Sequence, residues 1–283
     1  MAIRIITDSA SDFDLAVAKR RKISVVPMTV QFGSATFLAG KNLSNDVFFQ
    51  LLQEGKENPS TSQPAPEAFL RHFEEAKAAG DQVVAILLSG ALSGTLQSAE
   101  IARGLCEYDP IYIVDSRSAT AGMQVLVNYA CKLRDSGLSA AAIAGEVEKL
   151  KDKVRIFAII DTLEYLRRGG RLSGFQAGLG AMTKLKPTIA VRDGAVSIVG
   201  KSFGTAAAVK HLMKMLEEHP IDDDYPSYFL YSNDKSREEL LLPKLKEQGR
   251  LPLRLHYCGI GPTIGTHIGP GALGMAYIER ESY

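Results

Sequence analysis

The sequence predicts a two-domain α/β protein: an N-terminal, mostly parallel sheet with helices, then a C-terminal mixed sheet with helices. Strand-like runs alternate with helical patterns through the first half, the order that builds parallel sheets. After about residue 155 the β-rich runs lie closer together, two of them joined by an Asp-Gly pair. With 46% hydrophobic residues, 283 residues can bury two ordinary cores. A charged break near Lys153 sets the expected boundary, giving domains 1–154 and 155–283.

In chain order, Ile3 to Thr7, Val25 to Phe32, Val83 to Leu88 and Ile111 to Val114 read as strands. Pro66 to Ala79, Leu96 to Leu105, Ala119 to Arg134 and Ala140 to Leu150 carry apolar residues three and four apart, as helices covering a sheet do. Arg155 to Asp161, Thr188 to Val191 and Val196 to Val199 read as strands, the last two joined by Arg192-Asp193-Gly194-Ala195, a hairpin signal. Tyr228 to Tyr231 and Leu253 to Cys258 are further strands around a helical Lys235 to Gln248.

Charge and cysteine usage exclude several classes. Lys plus Arg number 33 against 32 Asp plus Glu, so no basic excess points to nucleic acid or an anionic membrane surface. The N-terminus reaches charge too early for a signal peptide, and no run approaches the roughly 18 apolar residues of a span. The expectation is a cytoplasmic protein without integral membrane association. Cys106, Cys131 and Cys258 are odd in number and far apart, fitting small core residues and neither a disulfide framework nor a zinc site. G-x-x-x-x-G-K-[ST], H-E-x-x-H and G-x-S-x-G are absent, and no metal or cofactor is expected.

Four stretches carry chemistry. Leu88-Ser89-Gly90-Ala91-Leu92-Ser93-Gly94-Thr95-Leu96 follows a strand and opens a helix; free N–H groups there favour an anion, and Ser93 and Thr95 add hydroxyls. A capped turn without a ligand explains it equally well. Asn58 to Glu67 holds Ser60, Thr61 and Ser62 beside three prolines, a stiff loop that places hydroxyls or simply caps a helix. Gly259 to Gly274 contains six glycines, two prolines and His267, implying unusual backbone or close approach; its third glycine, Gly265, falls one place late for a dinucleotide fingerprint. Leu163 to Ser173 packs Arg167, Arg168 and Arg171 around Gly169-Gly170, either a helix C-cap or a site for phosphate or a partner's carboxylates. Asp8-Ser9 and Asp115-Ser116 each follow a strand and read as caps before ligand contacts.

Taken together, Thr7-Asp8-Ser9, Thr61-Ser62-Gln63-Pro64, Leu92-Ser93-Gly94-Thr95, Val114-Asp115-Ser116, Leu163-Glu164-Tyr165-Leu166 with Arg168-Gly169-Gly170-Arg171, and His267-Ile268-Gly269-Pro270-Gly271-Ala272 resemble the DegV family, in register over essentially the whole chain. The resemblance implies a fatty-acid-binding protein, in some members the acyl-carrier subunit of a bacterial fatty acid kinase. It implies that Thr61, Ser62, Ser93 and His267, with Gly94 and Thr95, hold a long-chain fatty acid by its carboxylate, the tail lying in a tunnel of the second domain. Kinase-docking members tend to be basic after the hairpin, whereas Gly200 to Lys210 here has Ser202 and an alanine run; Arg168, Arg171 and Lys201 are the docking candidates. A hydrolase or acyltransferase with Ser93 as nucleophile and His267 as base is the alternative, and a small-acid-binding regulator a third.

Overall fold

The structure is a computed structural model that describes residues 2–172 and 185–281; Ser173, the end of the arginine-rich stretch, lies outside them. From the N-terminus run β1 (Ile3–Asp8), α1 (Leu15–Arg20), β2 (Ile23–Val26), β3 (Thr29–Phe32), β4 (Ala35–Leu38), α2 (Asn45–Glu54), β5 (Ser60–Ser62), α3 (Pro66–Ala79), β6 (Gln82–Leu87), α4 (Thr95–Cys106), β7 (Ile111–Asp115), α5 (Thr120–Asp135) and α6 (Ala140–Leu150). Then follow β8 (Val154–Ile159), α7 (Glu164–Gly169), β9 (Leu185–Arg192), β10 (Ala195–Phe203), α8 (Thr205–Glu218), β11 (Ser227–Tyr231), α9 (Leu242–Glu247), β12 (Leu255–Gly259), α10 (Pro262–Ile268) and β13 (Leu273–Ile278).

These strands make a four-stranded parallel sheet in the order β2-β1-β6-β7 and a six-stranded mixed sheet, β10-β9-β8-β13-β11-β12, in which only β11 and β12 are parallel. The predicted hairpin is present: Arg192 pairs Ala195 and the intervening Asp193 and Gly194 both take positive φ, as a two-residue turn matching strand twist requires. A small antiparallel sheet, β4-β3-β5, was not foreseen.

Two expectations need correction. Val25 to Phe32 is not one strand: Pro27 has no N–H for a ladder, and the chain breaks at Pro27-Met28 to send β2 and β3 into different sheets. Nor is Lys235 to Gln248 one helix, because it divides into a 3-10 segment (Lys235–Leu240) and α9.

Period-two alternation in the six-stranded sheet separates two cores. Ile156 and Ala158 of β8 face one way, joined by Leu230, Ala276 and α5; Phe157 and Ile159 face the other, against α8 and α9. α5 packs on both large sheets and so ties them together. It comes close to β8 at Gly122, where an added Cβ would lie 2.1 Å from Ser118 Oγ, 2.8 Å from Ile156 Cδ1 and 3.1 Å from Val154 Cγ1. All three cysteines are free and buried, as their spacing implied. Among the described residues no helix is long and apolar enough to cross a membrane.

The carboxyl end of β1 buries two acids. Asp8 accepts from Leu88 N at 2.7 Å and Ala10 N at 2.9 Å, which makes it a cap and a tie between β1 and the end of β6. Burial pushes its carboxyl up to about 6 against those two bonds. Asp12 is pushed up to about 7, chiefly by burial; the Thr120 hydroxyl and Gly261 N–H face it and partly offset that cost without closing a hydrogen bond to either oxygen.

Two outcomes are expected. Gly122→Val should lower stability by about 1–3 kcal/mol through overpacking, read as a fall in denaturation midpoint with unchanged m-value. Raised carboxyl pKa values mean that the folded chain holds protons more tightly, so the acids' contribution is present below pH ~4 and lost as pH rises through 6–7. Asp12→Asn should therefore stabilise at pH 8 by on the order of 1–3 kcal/mol and converge on the parent near pH 4 in paired thermal melts.

Candidate functional site

A cavity of about 440 Å³ lies between the inner face of the six-stranded sheet and the ends of the first-half elements. Its deeper wall is apolar: Ile156 and Ala158 from β8, Ile189 and Val191 from β9, Leu230 from β11, and Ile264 and Ile268 from α10. At one end stand Thr61, Ser62, Ser93, His267 and Arg171, brought from four different elements or loops. A mostly aliphatic wall, interrupted by Thr120 and Thr263, with one such polar cluster suits an amphipathic ligand with a small anionic head. A larger groove, about 1010 Å³, runs along α1, α5 and β12 past Arg21, Asn128 and Tyr228; it takes in Ser9 and the start of the glycine-rich stretch, Gly259, Gly261 and Pro262, but not Thr61, Ser62, Ser93 or His267.

Thr61 and Ser62 sit on β5, not in the expected stiff loop. The ladder to β3 (Val30 to Thr61, Thr29 to Ser62) fixes them, with three prolines nearby limiting the chain to extended conformations. His267 is the sixth residue of α10, within the glycine-rich stretch that composition alone did not show to be helical. Its surroundings explain the glycines. Gly269 takes φ +72°, and a Cβ there would lie 2.3 Å from the Tyr165 ring; at Gly169 one would fall 2.1 Å from His267 Nδ1. The ring is therefore clasped between α7 and α10.

His267 Nε2 lies 2.8 Å from Thr61 Oγ1, while Nδ1 is buried without a partner. Burial, with a smaller push from the Arg171 charge, lowers its pKa to about 4, so the imidazole is neutral at pH 7. Ser93 Oγ contacts Thr95 Oγ1 at 2.8 Å and not His267. Gly94 is the N-cap of α4, and a side chain there would collide with Gln63, which donates to Ser98 at 2.9 Å. Thr95 is fully buried behind Ser93. Neither Gly94 nor Thr95 lines the cavity; Thr95 contacts Ser93, and Gly94 stands against Gln63.

Of the residues read as partner-docking candidates, Arg171 belongs to the cavity lining, with Nε donating to Leu92 O at 3.1 Å and Nη1 to Gly169 O. Arg168 is half-exposed, paired to Glu164 at 2.8 Å and bonded to Asn58. Lys201 is exposed on β10, at the sheet edge. Asp115 and Ser116 make turn bonds, to Gly90 N and Arg117 N and to Ser118 O, and stay outside the cavity.

The sequence reading missed Gln63, Met28 and Thr120 as lining residues. Thr120 takes φ +45°, rare for a β-branched residue, and no local pattern announces it. Ile156, Ala158, Ile189, Val191 and Leu230 of the apolar wall are ordinary strand residues whose inward direction only sheet register reveals.

A family model described as an uncharacterised protein of the DegV family matches residues 2–280. A DegV domain-containing protein of Caldanaerobacter subterraneus is 34% identical, covering 98% of this chain and 99% of its own. One from Deinococcus radiodurans is 30% identical, covering 98% of each chain. Among solved structures, a DegV family protein from Thermus thermophilus described for its fatty acid binding superposes with a TM-score of 0.89 at 33% identity, covering 98% of this chain and all of that one. DegV of Bacillus subtilis, described as a fatty acid binding protein, superposes at 0.84 with 28% identity, covering 99% and 100%. With the fold and this whole-length match agreeing, the chain belongs to the DegV family.

Proposed function

We propose that this protein binds a long-chain fatty acid, its carboxylate held by Thr61, Ser62, Ser93 and His267 and its tail in the apolar part of the cavity, and presents the acid to a kinase partner. The observation that carries the reading is the cavity's lining: Thr61, Ser62, Ser93, a neutral His267 and Arg171 gathered around the Thr61–His267 contact, and mostly aliphatic side chains, with the hydroxyls of Thr120 and Thr263, along the rest. Each methylene moved from water into that wall contributes about 0.8 kcal/mol, while the head group replaces water with Ser and Thr donors. Fatty acid binding by the similar Thermus thermophilus and Bacillus subtilis proteins supports it.

Presentation to a kinase rests on the resemblance to those DegV members that serve as the acyl-carrier subunit of a bacterial fatty acid kinase; in that role the kinase activates the carboxylate, with Arg168 and Lys201 as exposed cations for its docking. The site itself favours holding an acid over cleaving an ester: no hydrogen bond joins Ser93 to His267, and no carboxylate accepts from His267 Nδ1 among the described residues. A cytoplasmic setting, suited to three free cysteines, and a two-domain division at 154/155 belong to the same proposal. The four-stranded sheet is complete by Asp115 and the six-stranded sheet begins at Val154.

Mass spectrometry of protein purified from cells and then denatured should show a co-purifying fatty acid. Ser93→Ala and His267→Ala should each weaken oleate binding roughly tenfold, the loss of one hydrogen bond to a charged group; no bound lipid and no oleate uptake would remove the reading. In the ligand-free protein His267 should titrate near pH 4 by NMR, and oleate should move that midpoint upward, because a carboxylate beside the ring favours the imidazolium. An unmoved midpoint would place the head group elsewhere.

A further inference from the structure

The groove of about 1010 Å³ along α1, α5 and β12 shares no lining residue with the acyl cavity, and the acyl-binding role leaves it unused. One end of it is built by a chain of fixed polar contacts. Asn128 on α5 accepts from Arg21, the C-cap of α1, and donates to the Tyr228 hydroxyl on β11 at 2.6 Å. Tyr228 is paired with His256 in the β11–β12 ladder, their rings 5.5 Å apart. Lys132 stands one helical turn beyond Asn128, and Arg254 two residues before His256, so periodicity puts Lys132 on Asn128's face of α5 and Arg254 on His256's face of the sheet. Arg21, Lys132 and Arg254 therefore converge on one end of the groove from three different elements.

Among the described residues none of these three cations forms an ion pair. Arg21 is held by Asn128, and Arg254 donates to the Asp224 carbonyl at 3.0 Å; both contacts orient a guanidinium without neutralising it. Lys19, Arg20 and Lys22, next to Arg21 in the chain, are exposed and form no ion pair either, a local run that the overall charge of +1 conceals. Of the three acids in the lining, Asp14 caps α1 at its other end, Asp12 keeps both carboxyl oxygens buried, and only Asp224 lies beside the cations. The walls there are aromatic. His256 is exposed beside Tyr228, and the Tyr129 and Tyr225 rings meet edge to face at 5.7 Å. Aromatic rings next to unneutralised cations suit a ligand that joins a planar base to a multiply charged anion.

We infer that this end of the groove binds a nucleoside diphosphate, its phosphates against Arg21, Lys132 and Arg254 and its base stacked on the His256 ring. A terminal phosphate carries about −1.5 to −2 charges near pH 7 and the phosphate behind it adds another, so two phosphates match three cations. A recess between helix, strand and loop admits such a ligand, whereas a flat membrane surface reaches only the exposed cations at its rim. The site is independent of the acyl-binding reading.

Calorimetric titration of the full chain with ADP, pyrophosphate and oleate tests it. Lys132→Ala together with Arg254→Ala should weaken ADP and pyrophosphate roughly tenfold or more, the loss of charge-assisted hydrogen bonds, and leave oleate within about twofold because neither residue lines the acyl cavity. The charge-preserving pair Lys132→Arg and Arg254→Lys should recover most of the ADP affinity. His256→Ala should weaken ADP about fivefold or more, the loss of one stacked base, while pyrophosphate stays within about twofold. No ADP binding at millimolar concentration, or an ADP affinity unchanged in the double alanine variant, overturns the site. So does an ADP affinity equal to that of pyrophosphate and indifferent to His256→Ala, which leaves an anion patch without a place for a base. Binding to phosphatidylglycerol vesicles, lost in the double alanine variant and unaccompanied by ADP binding, overturns it in favour of a membrane-facing basic surface. ADP binding with these dependences but without oleate uptake keeps the site and removes the fatty acid reading, and oleate uptake without ADP binding does the reverse.

Discussion

The 2.8 Å contact between Thr61 and His267 is the joint on which the site depends. It ties β5, in the small sheet, to α10, which leads directly into β13 at the centre of the six-stranded sheet. For the contact to form, a histidine has to enter a largely dry environment, and the cost appears as a pKa lowered to about 4. A neutral ring there is useful. It offers a directional hydrogen bond at the polar cluster of the cavity without adding a second positive charge beside Arg171. The orphaned Nδ1, pressed against Gly169, is the residual cost of that placement, since a buried nitrogen without a partner forfeits its bonds to water.

The cavity owes its apolar wall to an ordinary property of strands. Because neighbouring side chains alternate across a sheet, the run Ile156-Phe157-Ala158-Ile159 serves two cores at once. Phe157 and Ile159 fill the side covered by α8 and α9 with large groups, whereas Ala158 on the inner side is small. Packing α5 against the same inner face at Gly122 brings the two sheets together yet leaves open the space beyond the helix's first turn, where Ala119 and Thr120 line the cavity. Close packing in one place and a void in another arise from the same helix.

This explains how far the sequence could be read. Parallel strand-helix alternation, the Asp-Gly hairpin and the exact helical spans at Pro66–Ala79 and Ala140–Leu150 were visible because each has a local cause in periodicity, a cap or a turn residue. Thr61, Ser62, Ser93 and His267 were picked out together by the resemblance to the DegV family, since locally the hydroxyls fitted helix caps as well as a ligand site. What stayed hidden was non-local. α10 has helix-poor composition and is stabilised by contacts with α2, α7 and β3; β5 is three residues long and exists only as an addition to β3. Arg171 read as a surface docking residue because its arginine-rich neighbourhood is hydrophilic, while its place in the lining is set by the carbonyls of Leu92 and Gly169.

Thr61, His267 and Arg171 line both the acyl cavity and a smaller adjoining chamber of about 280 Å³, and this shared use has a thermodynamic consequence. Ligands that draw on the same groups cannot bind independently, and the coupling between them is reciprocal. An anion drawing on Thr61, His267 and Arg171 from one chamber would leave fewer donors for an anion in the other, so two separate anions there would oppose each other.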